Sequence, residues 1–243
     1  MNIIKTMPFY GVTVSTTSSI SQEEANRIAM DVLSTPWGRA DNVEVVAPGI
    51  VNVGTPSHGG VHLDAERNRR MPKWFRQNDG WYEEDIDANA PMLIFFKEFD
   101  AFQKEKGSKY HGKKLLELII KTLKEWRPDE YGDYSGHPVA LEDSSILRKR
   151  AFFRENEGRF ITTFACGDWH EAVPEGFVGI GAMMHRIDGR PYGKPKHALV
   201  PDSRYRNREF GYVVADDDIE TDGNFVPISN DGESISAASQ GRG

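Results

Sequence analysis

The spacing of apolar residues changes along this chain of 243 residues. Up to about Arg159, strand-like and helical patterns follow one another irregularly, whereas beyond it short β-rich runs are separated by Gly, Pro and Asp. Runs of β-branched and aromatic residues between such breakers are typical of strands, and several in succession favour an antiparallel sheet. The order therefore predicts an α+β fold in which an antiparallel sheet packs with several helices.

The first part of the chain shows a strand, a helix and a hairpin in turn. Residues 9–15 are apolar and β-branched, which predicts a first strand. Ser21 and Glu24 have the spacing of a capping box, and the apolar positions that follow recur at helical intervals up to Ser34. Residues 42–56 alternate across a Pro-Gly pair, the pattern of a β-hairpin.

Three further helices are predicted before the β-rich part. Asp64 is placed to cap a short helix over residues 65–70. Residues 83–102 have a helical pattern that Pro91 interrupts, so we expect a break or a new start there. Residues 115–126 carry a wide apolar face typical of a long packed helix.

The β-rich part predicts four strands and then a tail. The strand-like runs cover residues 159–167, 175–184, 196–201 and 210–215. The last residues are mostly Ser, Gly, Asn, Asp and Ala, which bury too little apolar surface to offset the entropy of ordering. We expect a single domain over residues 8–222 and a disordered, acidic and Ser/Gly-rich tail over residues 223–243.

Composition limits the class of protein. The formal charge is -7 and mean hydropathy is -0.56, and no apolar run approaches the length that spans a bilayer. The chain has one cysteine, Cys166, which excludes an intrachain disulfide framework or a multi-cysteine zinc site. We see no signal peptide at the N-terminus. These features predict a soluble, acidic protein of a reducing cytoplasm that has no membrane partner.

The stretch Ser57-His58-Gly59-Gly60 follows a predicted strand and has the most unusual chemistry in the chain. His62 lies four residues after His58, but the glycine pair disfavours the helix that would bring the two rings together, so no metal is predicted. Glycines also let a ligand approach the backbone closely. A ligand-binding or catalytic loop and a simple turn with His58 in a polar cleft are both compatible with this pattern.

Four carboxylates follow Trp81, among them Glu83, Glu84 and Asp85. At a helix start they would be stabilised by the helix dipole, which explains them without any function. The functional interpretation is that one of them orients or deprotonates His58. We therefore predict that His58 and the carboxylates of residues 83–85 lie within about one side-chain contact. Gly59, Gly60 and Trp81 would line the ligand-binding loop.

Two weaker patterns also carry potential chemistry. Cys166 and His170 flank an Asp, but a buried free cysteine is more often a packing residue than a nucleophile, and only His170 is kept in the candidate catalytic set. Basic side chains surround Trp74 and Phe75, a mixture that can bind a phosphate backbone and stack on bases, although a solvated helix face explains it as well. These basic residues are Arg67, Arg69, Arg70, Lys73 and Arg76. No nucleotide-binding motif is present, and no cofactor is predicted.

Several motifs together resemble a known family. The Ser-His-Gly-Gly and Gly-Trp-Tyr-Glu-Glu-Asp strings, with the Pro-Trp-Gly before them, are similar to the DUF7007 domain of uncharacterised proteins found in bacteria, plasmids and phages. The resemblance covers residues 35–215. Family members usually have Cys where this chain has Ile86, so chemistry there does not depend on a thiol. The resemblance implies no activity, and its link to mobile elements makes a role against host defence or in DNA transactions plausible.

Three functions follow from these observations. The first is a mobile-element protein that counters a bacterial defence system by binding and inhibiting a host protein. The second is an enzyme with a His/carboxylate site on the SHGG loop. The third is a nucleic-acid-binding module that uses the basic cluster. The sequence leaves the oligomeric state open. The candidate catalytic residues are Ser57, His58, Glu83, Glu84, Asp85 and His170.

Overall fold

The computed structural model describes residues 5–225, and the chain forms two compact units. The first is Met1–Ile146 and the second is Leu147–Gly243. Both contain helices and strands, so the predicted α+β class is confirmed. The prediction of one domain over residues 8–222 stays a prediction. Within the described residues, no helix is long and apolar enough to cross a membrane.

The first unit is built on a six-stranded sheet with the order β1-β2-β5-β6-β7-β8. Only β2 and β5 run parallel, and the other neighbours are antiparallel. A separate two-stranded ribbon joins β3 and β4. The strands are β1 (Lys5–Phe9), β2 (Val12–Thr16), β3 (Ser34–Thr35), β4 (Gly38–Arg39), β5 (Asn42–Ala47), β6 (Ile50–Gly54), β7 (Gly59–Leu63) and β8 (Trp81–Glu83).

Two hairpin turns decide where these strands begin and end. The predicted strand over residues 9–15 is in fact the β1–β2 hairpin, because Tyr10 and Gly11 have φ of 47° and 75° and reverse the chain. The β5–β6 hairpin is confirmed. Its turn residue Gly49 has φ of 77°, and a Cβ there would lie 2.3 Å from the Asp64 carboxylate.

The helices of the first unit partly follow the sequence prediction. Ser21 Oγ accepts a hydrogen bond from the Glu24 N–H at 3.2 Å and caps α1. The helix ends at Asp31 rather than at Ser34, because Ser34 is already the first residue of the β3–β4 ribbon. Asp64 Oδ1 caps α2 through the Arg67 N–H at 2.7 Å. The helices are α1 (Gln22–Asp31), α2 (Ala65–Arg69), α3 (Asn89–Ile94), α4 (Phe96–Glu105), α5 (Lys113–Trp126) and α6 (Pro128–Ser135), with a 3-10 turn at Leu141–Asp143.

The segment after Gly80 is not the helix start that its carboxylates suggest. Trp81–Glu83 is strand β8, and the next helix begins at Asn89. Pro91 is the third residue of α3, where a missing N–H costs nothing because the first turn has no partner for it. The new helical start expected near Pro91 is therefore present, and a further break lies at Phe95, with φ of -106° and ψ of 37°.

The six-stranded sheet is covered on both faces, because alternate residues of each strand point to opposite sides. On one face Ile50, Val61, Leu63 and Tyr82 pack against α3, α4 and α5. On the other, residues such as Val43 and Val51 pack against α1. Tyr82 is fully buried, and its hydroxyl donates to Asn68 Oδ1 at 2.6 Å, which anchors the edge strand β8.

The second unit holds a four-stranded antiparallel sheet with the order β12-β11-β10-β9. The fourth strand is not the predicted run at residues 210–215, which contributes only a single bridge between Ile161 and Val213. Its elements are α7 (Ser145–Glu155, which begins in the first unit), β9 (Phe160–Cys166), β10 (Phe177–His185), β11 (Pro191–Pro201), α8 (Asp202–Tyr205) and β12 (Ile219–Thr221).

The prediction of a disordered tail from residue 223 is wrong for its first residues, since Phe225 belongs to the packed part of the second unit. Phe225 is buried and packs with Cys166 and Val173, because an aromatic side chain that reaches a core is stabilised by leaving water. The remainder of the predicted tail, residues 226–243, lies outside the described residues.

Candidate functional site

A tight turn between β6 and β7 holds His58. The backbone N–H of Thr55 donates to the His58 carbonyl at 2.7 Å, and the Thr55 hydroxyl donates to the same carbonyl at 2.8 Å. The His58 N–H in turn donates to Thr55 Oγ1 at 3.1 Å. These bonds fix the backbone on both sides of the imidazole. The sequence prediction did not include Thr55, although a Thr at the end of a strand before Pro is a turn signal.

Pairing of β7 with β8 brings the carboxylates to this turn. Gly60 lies opposite Glu83 in the register, and the Glu84 N–H donates to the Gly59 carbonyl at 3.0 Å. Since β8 is the edge strand of the sheet, Glu83 and Glu84 lie where the sheet ends. The site is thus positioned by two adjacent strands rather than by a helix terminus.

The predicted approach of His58 to the carboxylates is confirmed for two of the three. One ligand atom from each of His58, Glu83 and Glu84 lies within 4.8 Å of the others, and we call these residues the HEE cluster. His58 and Glu84 are exposed and Glu83 is half-buried. Asp85 is not a member, and its N–H donates instead to Glu83 Oε2 at 3.0 Å.

The charge of the HEE cluster is not compensated by neighbouring side chains. Throughout the described chain, neither Glu83 nor Glu84 forms an ion pair with Lys or Arg, and the only hydrogen bond that either carboxylate accepts is from Asp85. Two carboxylates at short range repel each other, and water screens only part of this. The arrangement therefore attracts a positive charge.

Gly59 and Gly60 do not form an open cradle as the ligand-loop prediction requires. Both are buried in β7. A Cβ on Gly59 would lie 2.6 Å from Glu84 Oε2 and 2.8 Å from the Val53 carbonyl, and one on Gly60 would lie 2.3 Å from both the Trp37 ring and the Tyr82 carbonyl. The glycines are needed because neighbouring groups occupy the space of a side chain.

An aromatic group lies on the same face of the sheet as Glu83. The rings of His62 and Trp81 are 4.3 Å apart, and Trp81 meets Trp37 edge-on at 5.8 Å. Burial lowers the pKa of His62, although Asp64, Asp79 and Asp31 act in the opposite direction. His62 is therefore a packing residue of this aromatic group and not a partner of His58. Trp37 was missing from the predicted set, although its Pro-Trp-Gly turn was a usable signal.

The other candidate catalytic residues do not belong to the HEE cluster. Ser57 is exposed, and its N–H donates to Thr55 Oγ1 at 3.4 Å. His170 belongs to the second unit, where its Nδ1 accepts from the Ala172 N–H at 3.2 Å. Cys166 is buried, and burial raises the pKa of its thiol, so it is a packing residue as expected.

The basic cluster is largely occupied with structural contacts. Arg67 pairs with Glu98 at 2.9 Å, and Arg76 donates to the carbonyls of Arg69 and Met71. The guanidinium of Arg70 lies 5.1 Å from the centre of the Phe95 ring, and the ammonium of Lys73 lies 5.0 Å from that of Trp74. Such contacts hold cationic side chains against the protein. The prediction of a nucleic-acid surface gains nothing from this geometry.

The acidic run near residue 217 is likewise partly structural. Arg204 bonds Asp217 at 2.8 Å and Asp218 at 3.1 Å, and the Asp218 side chain is fully buried. Tyr212 donates its hydroxyl to Asp218 at 2.9 Å, and burial together with this bond raises the pKa of Tyr212 to about 12. We call these residues, Arg204, Tyr212, Asp217 and Asp218, the DDR network.

Comparison with known families identifies the chain. A family model described as a domain of unknown function, DUF7007, matches residues 31–157, just over half of the sequence, and the chain belongs to this family. The match contains the whole HEE cluster. The resemblance of residues 158–215 to the same family lies outside the match and stays a prediction. No curated protein and no solved structure matches the chain.

Proposed function

We infer that this DUF7007 protein is an enzyme of the hydrolytic class whose site is the HEE cluster. The observation that carries the proposal is the approach of one imidazole and two carboxylates to within 4.8 Å. These are the side chains that most often accept and donate protons in catalysis at neutral pH. Their convergence from two strands at an exposed sheet edge gives a substrate direct access.

The role of each residue in the HEE cluster follows from its position in the structure. His58 lies on a turn whose backbone is fixed by hydrogen bonds to Thr55. Its imidazole therefore extends from a defined backbone position when it accepts a proton from water. Glu83 and Glu84 place negative charge within 4.8 Å of the imidazole, where it stabilises positive charge that develops during the reaction. Proton transfer by a positioned group contributes a factor of about 10²–10⁴ to the rate.

The rival proposal is an inhibitor of a host defence protein that acts through exposed carboxylates. It draws on the net charge of -7. The acidic run offers fewer free carboxylates than its sequence suggests, since Asp218 is buried and Asp217 pairs with Arg204. Such an inhibitor would lose affinity as salt rises, because exposed charges are screened beyond about 8 Å at physiological ionic strength.

The enzyme proposal is tested with chromogenic esters. Purified protein is assayed on p-nitrophenyl acetate, p-nitrophenyl phosphate and bis-p-nitrophenyl phosphate, which represent carboxylic esters, phosphomonoesters and phosphodiesters. We expect turnover of at least one of them, with a loss of about 100-fold or more in His58→Ala. His111→Ala and Glu66→Gln are matched controls, because both residues are exposed and lie outside the HEE cluster.

Two outcomes would contradict the proposal. One is a wild-type protein that turns over none of the three probes. The other is hydrolysis that His58→Ala and Glu84→Gln retain at the wild-type rate. In a survival assay of phage on a defended host, protection that is unaffected by His58→Ala but lost on charge reversal at Asp216 and Glu220 would favour the inhibitor instead.

A further inference from the structure

We propose that the HEE cluster binds one divalent transition-metal ion, with His58, Glu83 and Glu84 as its three protein ligands. The binding claim depends only on the geometry of the cluster. Its use in catalysis rests on the proposed function and replaces one role in it: with the imidazole nitrogen bound to the ion, the ion rather than His58 activates water. The sequence pattern alone predicted no metal, because it considered His62 as the second ligand.

The ligand atoms are close enough for one ion. Nitrogen and oxygen ligands lie about 2.0–2.2 Å from Zn²⁺, so two ligands of the same ion are about 3–3.5 Å apart. In the protein the three ligand atoms lie within 4.8 Å of one another. His58 and Glu84 are exposed, so their side chains have room to change rotamer, and the proposal requires that such a change closes the difference.

Electrostatics favour occupancy by a cation. Glu83 and Glu84 share a small volume and, over the part of the chain that the structure describes, have no Lys or Arg partner. A divalent ion converts their mutual repulsion into two attractions. In the DDR network, by contrast, Asp217 is supplied with a counterion by Arg204. The HEE cluster lacks such a group, and a bound metal provides one.

The donor set indicates which ions bind. One imidazole nitrogen and two carboxylate oxygens suit Zn²⁺ and Mn²⁺, whereas Mg²⁺ and Ca²⁺ prefer all-oxygen sites. The chain's single thiol is buried in the second unit among apolar residues and takes no part. Three protein ligands at an exposed edge leave coordination positions for water or substrate, which is the pattern of catalytic rather than structural zinc sites.

The scaffold holds two of the ligands in place before an ion arrives. Thr55 fixes the backbone of His58, and the bond from the Glu84 N–H to the Gly59 carbonyl fixes that of Glu84. Tyr82, between Trp81 and Glu83, anchors β8 in the core. The backbone at these positions is therefore ordered before binding, and the side chains of His58 and Glu84 are what reorients around the ion.

The experiment measures binding of the metal alone. Full-length protein without an affinity tag is treated with chelator, dialysed, and titrated with ZnCl₂ and MnCl₂ by isothermal calorimetry, with native mass spectrometry to count ions. We expect one ion per chain, at least 10-fold weaker binding in His58→Ala, Glu83→Gln and Glu84→Gln, and at least 10-fold weaker binding of MgCl₂. His111→Ala and Glu66→Gln should bind as the wild type does.

Circular dichroism of the metal-free variants checks that each is folded. Substitutions at the exposed His58 and Glu84 should change stability by only about 0.5 kcal/mol. Absence of a one-to-one complex with either ion overturns the proposal. So does a complex that the three ligand variants retain at wild-type affinity, because the ion is then bound elsewhere.

The proposed metal site and the proposed enzyme activity can each be contradicted without the other. One-to-one binding that depends on the HEE cluster, with no hydrolysis of the three ester probes, supports the metal and contradicts the enzyme. Hydrolysis that requires His58 but persists at full rate in chelator, with no ion bound, supports the enzyme and contradicts the metal. In that case His58 acts as a free base.

Discussion

The HEE cluster of the first unit and the DDR network of the second both contain two acidic residues adjacent in sequence, but their surroundings differ. Asp217 and Asp218 receive Arg204, the Tyr212 hydroxyl and the Ala215 N–H. Glu83 and Glu84 receive one backbone N–H between them and stand beside an exposed imidazole. The carboxylates of the DDR network thus have hydrogen-bond and ion-pair partners within the protein, whereas those of the HEE cluster are left available to a ligand.

This difference separates structural from functional carboxylates. A buried carboxylate costs free energy unless it is hydrogen-bonded and paired, so Asp218 has to be compensated within the fold. A carboxylate that water reaches has no such requirement, and this chain places the half-buried Glu83 and the exposed Glu84 next to a histidine. Removing members of the two groups should therefore have opposite consequences for stability and for ligand binding.

The largest effect on stability is expected at Asp218. Replacing it by Ala leaves the Tyr212 hydroxyl and the Ala215 N–H without their acceptor and removes one partner of Arg204. We expect the free energy of unfolding to fall by about 3 kcal/mol, less than for an isolated buried pair because Arg204 keeps Asp217. Urea denaturation followed by circular dichroism measures it.

The control for this substitution is Asp216→Ala, in the same acidic run but exposed. It should change the free energy of unfolding by no more than about 0.5 kcal/mol. Equal losses of stability in the two variants would contradict the argument that the buried Asp218 stabilises the fold through its partners.

A smaller effect on stability, with a second effect on the site, is expected at Gly59. A Cβ there would lie 2.6 Å from Glu84 Oε2 and 2.8 Å from the Val53 carbonyl, and the backbone carbonyl cannot move aside easily. We expect Gly59→Ala to lower the free energy of unfolding by about 1–3 kcal/mol. It should also weaken binding of Zn²⁺, because the Glu84 carboxylate is displaced.

Gly54→Ala is the matched control, since Gly54 pairs with Gly59 across the β6–β7 hairpin. Its Cβ would meet atoms at 3.6 and 3.8 Å, which are ordinary contact distances. Both stability and Zn²⁺ binding should stay close to those of the wild type. A loss of binding in Gly54→Ala as large as that in Gly59→Ala would count against the steric argument.

The smallest effect concerns pH and involves one histidine in each unit, the half-buried His62 and the buried His185. Burial lowers the pKa of both His62 and His185 from 6.5. Each is then more readily protonated in the unfolded chain, so the unfolded state binds more protons and stability is lost as the pH falls below about 6.5. Carboxylates with a lowered pKa, such as Asp217, lose their contribution only below about pH 4.

Urea midpoints at pH 7.5 and 5.5 test this comparison. We expect lower stability at pH 5.5, and a smaller difference between the two values in His185→Asn. At His62 three aspartates oppose the lowering of the pKa, and at His185 the opposing group is the Met183 carbonyl. A midpoint that rises on acidification would show that the histidines are not the titrating groups.

Elements whose pattern is local were predictable. The capping box at Ser21, the Asp64 cap, the β5–β6 hairpin and the long amphipathic helix α5 all formed where the sequence placed them. Segments with a mixed pattern were not. Residues 83–87 read as a helix start because acidic residues favour that position, yet pairing with β7 draws Trp81–Glu83 into the sheet.

The sequence by itself determined the α+β class, the membership of the DUF7007 family and the identity of all three HEE residues. Only the tertiary structure decided which partners they have. Pairing of β7 with β8 joins His58 to Glu83 and Glu84 across a gap of 25 residues in sequence, and it separates Asp85 and His62 from them. The physical reason is that the chemistry of a side chain is known from its residue type alone. Its burial, its charged neighbours and its distance from other groups depend on which strands pair and pack together.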